Sequence, residues 1–300
     1  MTKNLRVKTG KAIDETYRIS FKFNGSTYYG YKGDTLSSAL LANDIHLIGR
    51  SFKYHRPRGI MTAGSEEPNA IVQLHANSSR TEPNVRATEV EIYEGLEASS
   101  QNCWPSVEFD IGGINNFLSP FFPAGFYYKT FMWPASFWEK YEFFIRHSAG
   151  LGKSPTSSDP DIYDHRNVHC DVLVVGAGIS GILAAKNAAK NNFKTLLVDE
   201  KNELGGSTIY ENNEFNKIDN KNPSEWIKKE IEELKGIKNL EIKTRTSVTA
   251  YHQYNYLLAR ENLTDHFEVK DKINKIRQRL LKIRAKKVIL ATGALEKPLI

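Results

Sequence analysis

The sequence predicts an α/β chain whose first part is α+β, and three observations carry that expectation. Alternating apolar runs flank Asn24-Gly25, the strongest short-range signal for a hairpin. Further on, Gly176, Gly178 and Gly181 follow the apolar run DVLVV and open a helical pattern. Between the two lies an aromatic- and proline-rich stretch, FLSPFFPAGFYYKTFMWPASFWEKYEFF, with neither pattern. The expected division is a β-grasp unit over residues 1–97, an aromatic-rich connector over 98–165 and a dinucleotide-binding domain over 166–300.

Residues 17–31 read as two short strands, and LSSALLAN after Gly33-Asp34-Thr35 as a short helix capped by Asp34 or Thr35. Residues 69–75 and 85–93 are strand-like, which completes a β-grasp-like unit. The connector is too aromatic for a flexible linker. It suits either a packed connector or a subunit interface, where Tyr, Trp, Phe and Met are enriched. From residue 169 the pattern is strand, glycine turn, helix, strand. A helix is expected after Asn222-Pro223-Ser224, then strands at 239–243, 246–251, 254–260, 265–270 and 286–294.

Charged residues make up 25% and apolar residues 40%, as in an ordinary globular protein. No run reaches the roughly 18 apolar residues of a membrane span, and the N-terminus lacks a signal-peptide core. A cytoplasmic chain without membrane contact is expected. The net charge is +6, but Lys270 to Lys287 alone holds nine Lys/Arg and one acid. So local an excess points to a solvated face or a subunit contact rather than to nucleic acid. Cys103 and Cys170 are too few for a cluster or a four-ligand zinc site, and small buried apolar roles are expected for both. The eight histidines show no metal-ligand spacing with an acid nearby, and no catalytic constellation is apparent.

The glycine motif is the site with chemistry in it. Gly176 permits the tight turn, Gly178 the approach of a pyrophosphate, and Gly181 close packing of helix on sheet. With Ser180, they surround a helix N-terminus whose free N–H groups suit phosphate. Asp199, or its neighbour Glu200, ends the next strand and is placed for ribose hydroxyls. An acid there disfavours a 2′-phosphate, which leaves NAD or FAD. Gly206 in ELGGS and Thr292-Gly293 in ATG are expected beside the ligand, and Val248 either meets the adenine through its backbone or packs in the core.

Residues 62, 67 and 70 have the C-x4-C-x2-C spacing of a plant-type iron–sulfur loop, but they are Thr62, Glu67 and Ala70. Nearby, Arg50, Lys53, Arg56 and Arg58 form a basic run, expected as a solvated loop face or as a contact for a partner or an anionic cofactor. The segments GDTLSSALLAN, GRSFKYHRPRGIMTAGSEEPNA, EPNVRATEVEIYEG, SQNCWPS, LSPFFPAGFYYKTFMWP, YDHRNVHCDVLVVGAG, LVDEKNELGGS and KIRAKKVILATGALEKPL follow in order. With this series the chain resembles the alpha subunit of heterotetrameric sarcosine oxidase.

The resemblance implies a complex with beta, gamma and delta subunits that oxidises N-methylglycine to glycine. Hydrogen peroxide would form, and the methyl carbon would leave as formaldehyde or on tetrahydrofolate. It places NAD in this chain, FAD in the beta subunit and FMN at the alpha–beta interface. It also implies a ferredoxin-like first domain, here expected without a [2Fe–2S] cluster. The family's folate domain is absent, so a truncated chain ending at Ile300 is expected. The alternative is an FAD-binding subunit of a related opine, N-methylglutamate or cyanide-forming dehydrogenase. A non-enzymatic assembly module with a structural nucleotide is the third reading.

Overall fold

Strand β1 (Asp14–Phe23) turns back into β2 (Ser26–Lys32) through Asn24 and Gly25, both at positive φ. Asn and Gly are the residues that tolerate this two-residue turn. The computed structural model describes residues 5–6, 13–76, 79–121, 125, 133–148, 150–210 and 217–294. They form two units, dividing between Pro160 and Asp161.

In the first unit, Thr35 caps helix α1 (Leu36–Ala42) in a reciprocal capping box with Ser38. Asp34 is buried under the first turn, where the Arg6 guanidinium and the Ser38 hydroxyl donate to its carboxylate. The pair β3 (Gly49–Arg50) and β4 (Pro57–Arg58) follows, then β5 (Ile71–His75), β6 (Thr81–Arg86) and β7 (Leu96–Ser100). The sheet order is β2-β1-β7-β5-β6, with β1 and β7 parallel. Phe21, Phe23, Leu36, Leu40, Ile48, Val72 and Leu96 make its core. Of the strand expected over 85–93, only Val85 and Arg86 are strand, as the end of β6. Strand β5 is met by 81–86 instead, and residues 87–90 turn so that Ala87 and Val90 receive the first amides of α1.

The described residues of 98–160 group with this unit. Polar contacts hold them to it. Arg50 donates to the carbonyls of Val107 and Glu108, Arg56 to Asn116, and His55 lies 2.6 Å from Asp110. The basic run is therefore tied into the fold at Arg50 and Arg56. Helix α2 (Trp138–Ser148) lies in the aromatic stretch, of which residues 122–124 and 126–132 lie outside the described residues.

The second unit is built on β8 (Ile162–Val175). Helix α3 (Ile179–Lys190), β9 (Thr195–Val198), α4 (Pro223–Lys235), β10 (Leu240–Lys243), β11 (Thr246–His252), β12 (Tyr256–Asn262), the single turn α5 (Val269–Lys272) and β13 (Ile276–Leu290) follow. Asn222 caps α4 and Pro223 takes its first position. The sheet order is β10-β9-β8-β13-β12-β11, parallel from β10 to β13. The apolar ends of β8 and β9 are buried on both faces. Helices α3 and α4 cover Val172, Val174 and Leu197, while Leu173, Val175 and Val198 pack with Leu257, Leu281 and Ile283.

Residues 265–270 do not form the expected strand. The Asp265 carboxylate accepts from Arg277 and Gln278, and Phe267 N–H donates to Thr264, which folds the segment into a turn. Strand β13 begins ten residues before the expected 286. Part of its basic run is paired with acids: Arg277 with Asp161 and Asp265, Arg279 with Asp164 and Glu261, and Lys286 with Asp171. No helix among the described residues is long and apolar enough to cross a membrane.

Candidate functional site

The end of β8 leaves the sheet at Gly176, whose φ is +96°. A Cβ there would lie 2.3 Å from the Ala291 carbonyl, so the turn and the strand behind it touch backbone to backbone. Gly181 is tighter still, with a Cβ placed 1.8 Å from the Gly176 carbonyl. At Gly178 an added Cβ would meet nothing within 4 Å. Two of the three glycines are therefore required by the protein's own packing. The third faces open space, as a residue kept small for a ligand does.

Gly178 is the N-cap of α3 and supplies no side-chain cap, so the first-turn N–H groups have no side-chain acceptor from the cap position. They carry the positive end of the helix dipole. Ser180 lies exposed on that turn.

Asp199 is brought to this loop from the end of β9. Its Oδ2 accepts from Ala177 N–H at 2.6 Å and its Oδ1 from Lys201 N–H at 2.8 Å. The carboxylate thus braces the glycine turn, a role the spacing alone did not reveal. Glu200, next in the chain, is exposed. Gly205 N–H donates to the Ala177 carbonyl, and a Cβ on Gly206 would come within 3.1 Å of Gly178 Cα. Ala291 N–H donates to Val175, which carries Thr292 and Gly293 to the same strand ends, both exposed. The structure brings 176–181, 199, 205–206 and 291–293 together. Val248 lies on β11, paired with Ala259 and packed against the core cluster of Leu173 and Val175. A polar cleft of about 310 Å³, lined by Lys243, Arg245, Glu261 and His266 among others, opens elsewhere on this unit, and no fingerprint residue lines it.

Both cysteines are free. Burial pushes the Cys170 thiol up to about 11 and also raises that of half-buried Cys103. In the folded protein at about pH 8, iodoacetamide should leave Cys170 unmodified until denaturant is added. Peptide mass spectrometry reads this; labelling of folded Cys170 at a free-thiol rate would contradict it.

Residues 171–266 match the model of an FAD dependent oxidoreductase, and residues 16–103 that of a 2Fe-2S iron-sulfur cluster binding domain. Over 96% of its length the chain is 48% identical to sarcosine oxidase subunit alpha of Rhizobium meliloti (strain 1021), covering 29% of that protein. Over its length the chain is similar to one part of sarcosine oxidase subunit alpha. The subunit of the same name from Corynebacterium sp. (strain U-96) is 32% identical over 97% of the chain and 25% of its own length. The chain thus spans less than a third of these curated relatives. The solved L-proline dehydrogenase of P. horikoshii has the same fold over 100% of this chain and 44% of its own, with a TM-score of 0.58 and 19% identity.

These matches change two cofactor expectations. The match of residues 171–266 to an FAD dependent oxidoreductase model points to FAD rather than NAD for the fingerprint. The glycines alone could not discriminate: they receive a pyrophosphate that both dinucleotides share. The first unit is also of the 2Fe–2S cluster-binding type, against the expectation that set the cluster aside. Domain kinship spans sheet, helix and loop, so three missing thiolates do not remove it. The residues present nevertheless do not fit a cluster. Thr62, Glu67 and Ala70 stand at the ligand spacing, and among the described residues no group of three or more His, Cys, Asp or Glu gathers to hold a metal. The fingerprint residues do fit a dinucleotide such as FAD, with open space at Gly178.

Proposed function

We propose that this chain is the FAD-binding portion of a sarcosine oxidase-type flavoenzyme, an oxidoreductase for CH–NH donors that works with further subunits. The open space at Gly178 beside an uncapped helix N-terminus is the observation that carries it. Identity of 48% with a sarcosine oxidase subunit alpha supports the choice of enzyme.

In this reading Gly176, Gly178, Ser180 and Gly181 receive the pyrophosphate, and Asp199 or Glu200 the ribose. Gly206, Thr292 and Gly293 flank the ligand, and the Val248 backbone meets the adenine. FAD, when bound, accepts the electron pair lost by the amine. For the whole enzyme, N-methylglycine, dioxygen and water give glycine, formaldehyde and hydrogen peroxide. With tetrahydrofolate the methyl carbon leaves as 5,10-methylenetetrahydrofolate. The acid–base groups for the amine step are assigned to another part of the assembly. The relatives' designation as subunit alpha supports partners, here beta, gamma and delta subunits, and free cysteines go with a cytoplasmic setting.

The test is Gly178→Val in the assembled enzyme. The variant should fold and assemble, because its side chain enters open space. About one equivalent of FAD per assembly should be lost relative to wild type, read by chromatography of the released flavin. Full FAD retention would overturn the site. Turnover of an opine or N-methylglutamate in place of N-methylglycine would keep the FAD site and move the enzyme to that class.

A further inference from the structure

Glu67 is 1% exposed, although it sits in the loop between β4 and β5. A lone buried carboxylate is strongly disfavoured. This one is surrounded by donors. Its Oε2 accepts from the N–H groups of Met61 at 2.8 Å and Thr62 at 2.6 Å, and from the Thr62 hydroxyl at 3.3 Å. Its Oε1 accepts from the N–H groups of Asn69 at 2.7 Å and Ala70 at 3.0 Å. Burial pushes the carboxyl up, but the four backbone N–H groups outweigh it and hold Glu67 below the usual glutamate range.

The loop is also fastened from outside. Arg86 Nε donates to the Glu67 carbonyl, and the Thr88 hydroxyl to the Gly64 carbonyl. Ile60 and Ala70 join the core cluster at the two ends of the segment. Glu67 occupies the middle position of the C-x4-C-x2-C spacing, and two of its donors, Thr62 and Ala70, occupy the other two. In a cysteine-bearing loop of this kind, hydrogen-bond donors are directed at the sulfurs of an anionic cluster.

We infer that the Glu67 carboxylate is the internal anion around which residues 61–70 are built, supplying the negative charge and acceptor atoms that cluster sulfurs supply in cysteine-bearing loops. Glu67 is a positioning residue: it directs no chemistry and sets the shape of the loop surface.

The test is amide hydrogen exchange on the intact protein, wild type, Glu67→Gln and Glu66→Gln. In E67Q one acceptor becomes an N–H donor facing other donors. Exchange at residues 61, 62, 69 and 70 should accelerate roughly 10- to 100-fold, as expected for loss of charge-assisted hydrogen bonds. E66Q should leave it unchanged, and amides of β1 and β7 report that the sheet is intact. A second measurement needs no variant. Because the folded carboxyl is depressed, protection of the four amides is present at neutral pH. It is lost as pH falls through and below the ordinary glutamate range. The charged neighbours are Arg86, which pairs with Glu89, and Glu66 next in the chain. Unchanged exchange in E67Q, or protection that survives acid, overturns the inference. So would iron and acid-labile sulfide bound in this loop, since the amides would then have another acceptor. None of these results depends on FAD binding at Gly178.

Discussion

Gly181→Ala should strongly destabilise the second unit, while Gly178→Ala should leave it intact. The same added methyl meets a backbone oxygen at 1.8 Å in one case and nothing within 4 Å in the other. At Gly181 the obstacle is the Gly176 carbonyl, which cannot rotate away as a flexible side chain would. Gly176 is itself fixed by its N–H bond to Val198 and by the Ala291 backbone behind it. Relief requires α3 to lift from the sheet, which opens the cluster of Val174, Ala177, Ile182 and Ala185. The expected loss is about 3 kcal/mol or more, at the upper end for overpacking. Gly178→Ala should stay within about 0.5 kcal/mol. Denaturant unfolding followed by limited proteolysis separates the cases: G181A should release residues 161–294 to protease. Equal stability of the two variants would contradict this account of the turn.

Asp199→Ala should weaken both the fold and the flavin site. Ala177 is fully buried, and its N–H has the Asp199 carboxylate as acceptor at 2.6 Å. Truncation leaves that donor in a dry environment, at a cost of about 1–3 kcal/mol. It also releases Lys201 N–H at the mouth of the loop. FAD occupancy should fall with the shape of the turn, even before any ribose contact is counted. Asp199→Asn separates the effects. If its amide oxygen faces Ala177, most stability returns, whereas the charge does not. Thermal denaturation with and without added FAD reads both. A stable D199A protein with full FAD content would show that the brace is dispensable.

Much of the architecture was legible because local chemistry and tertiary need coincide. Asn24-Gly25 suits a two-residue hairpin turn because both residues tolerate positive φ, and Asn222-Pro223 starts a helix with a cap and a fixed φ. The glycine fingerprint was legible for the same reason, although it could not distinguish FAD from NAD. Residues 265–270 misled because Phe267 and Val269 alternate with polar residues as in a strand, while the Asp265 carboxylate draws the chain into a turn through partners at 277 and 278. Strand β13 was foreseen only in its last third. Its earlier residues are basic, and the acids that pair with Arg277 and Arg279 are Asp161 just before β8, Asp164 on β8, Glu261 on β12 and Asp265.

By itself, the sequence determined the hairpin, the fingerprint loop, the helix over 223–235 and the absence of thiolates at 62, 67 and 70, all matters of residue type at short range. The tertiary structure decided what the carboxylates do. Asp199 turns toward the Ala177 amide, and Glu67 collects four backbone N–H groups from both sides of its loop. A carboxylate is an acceptor in any context. Which donors reach it depends on chain segments that only folding brings within hydrogen-bond distance, and no short-range pattern encodes that choice.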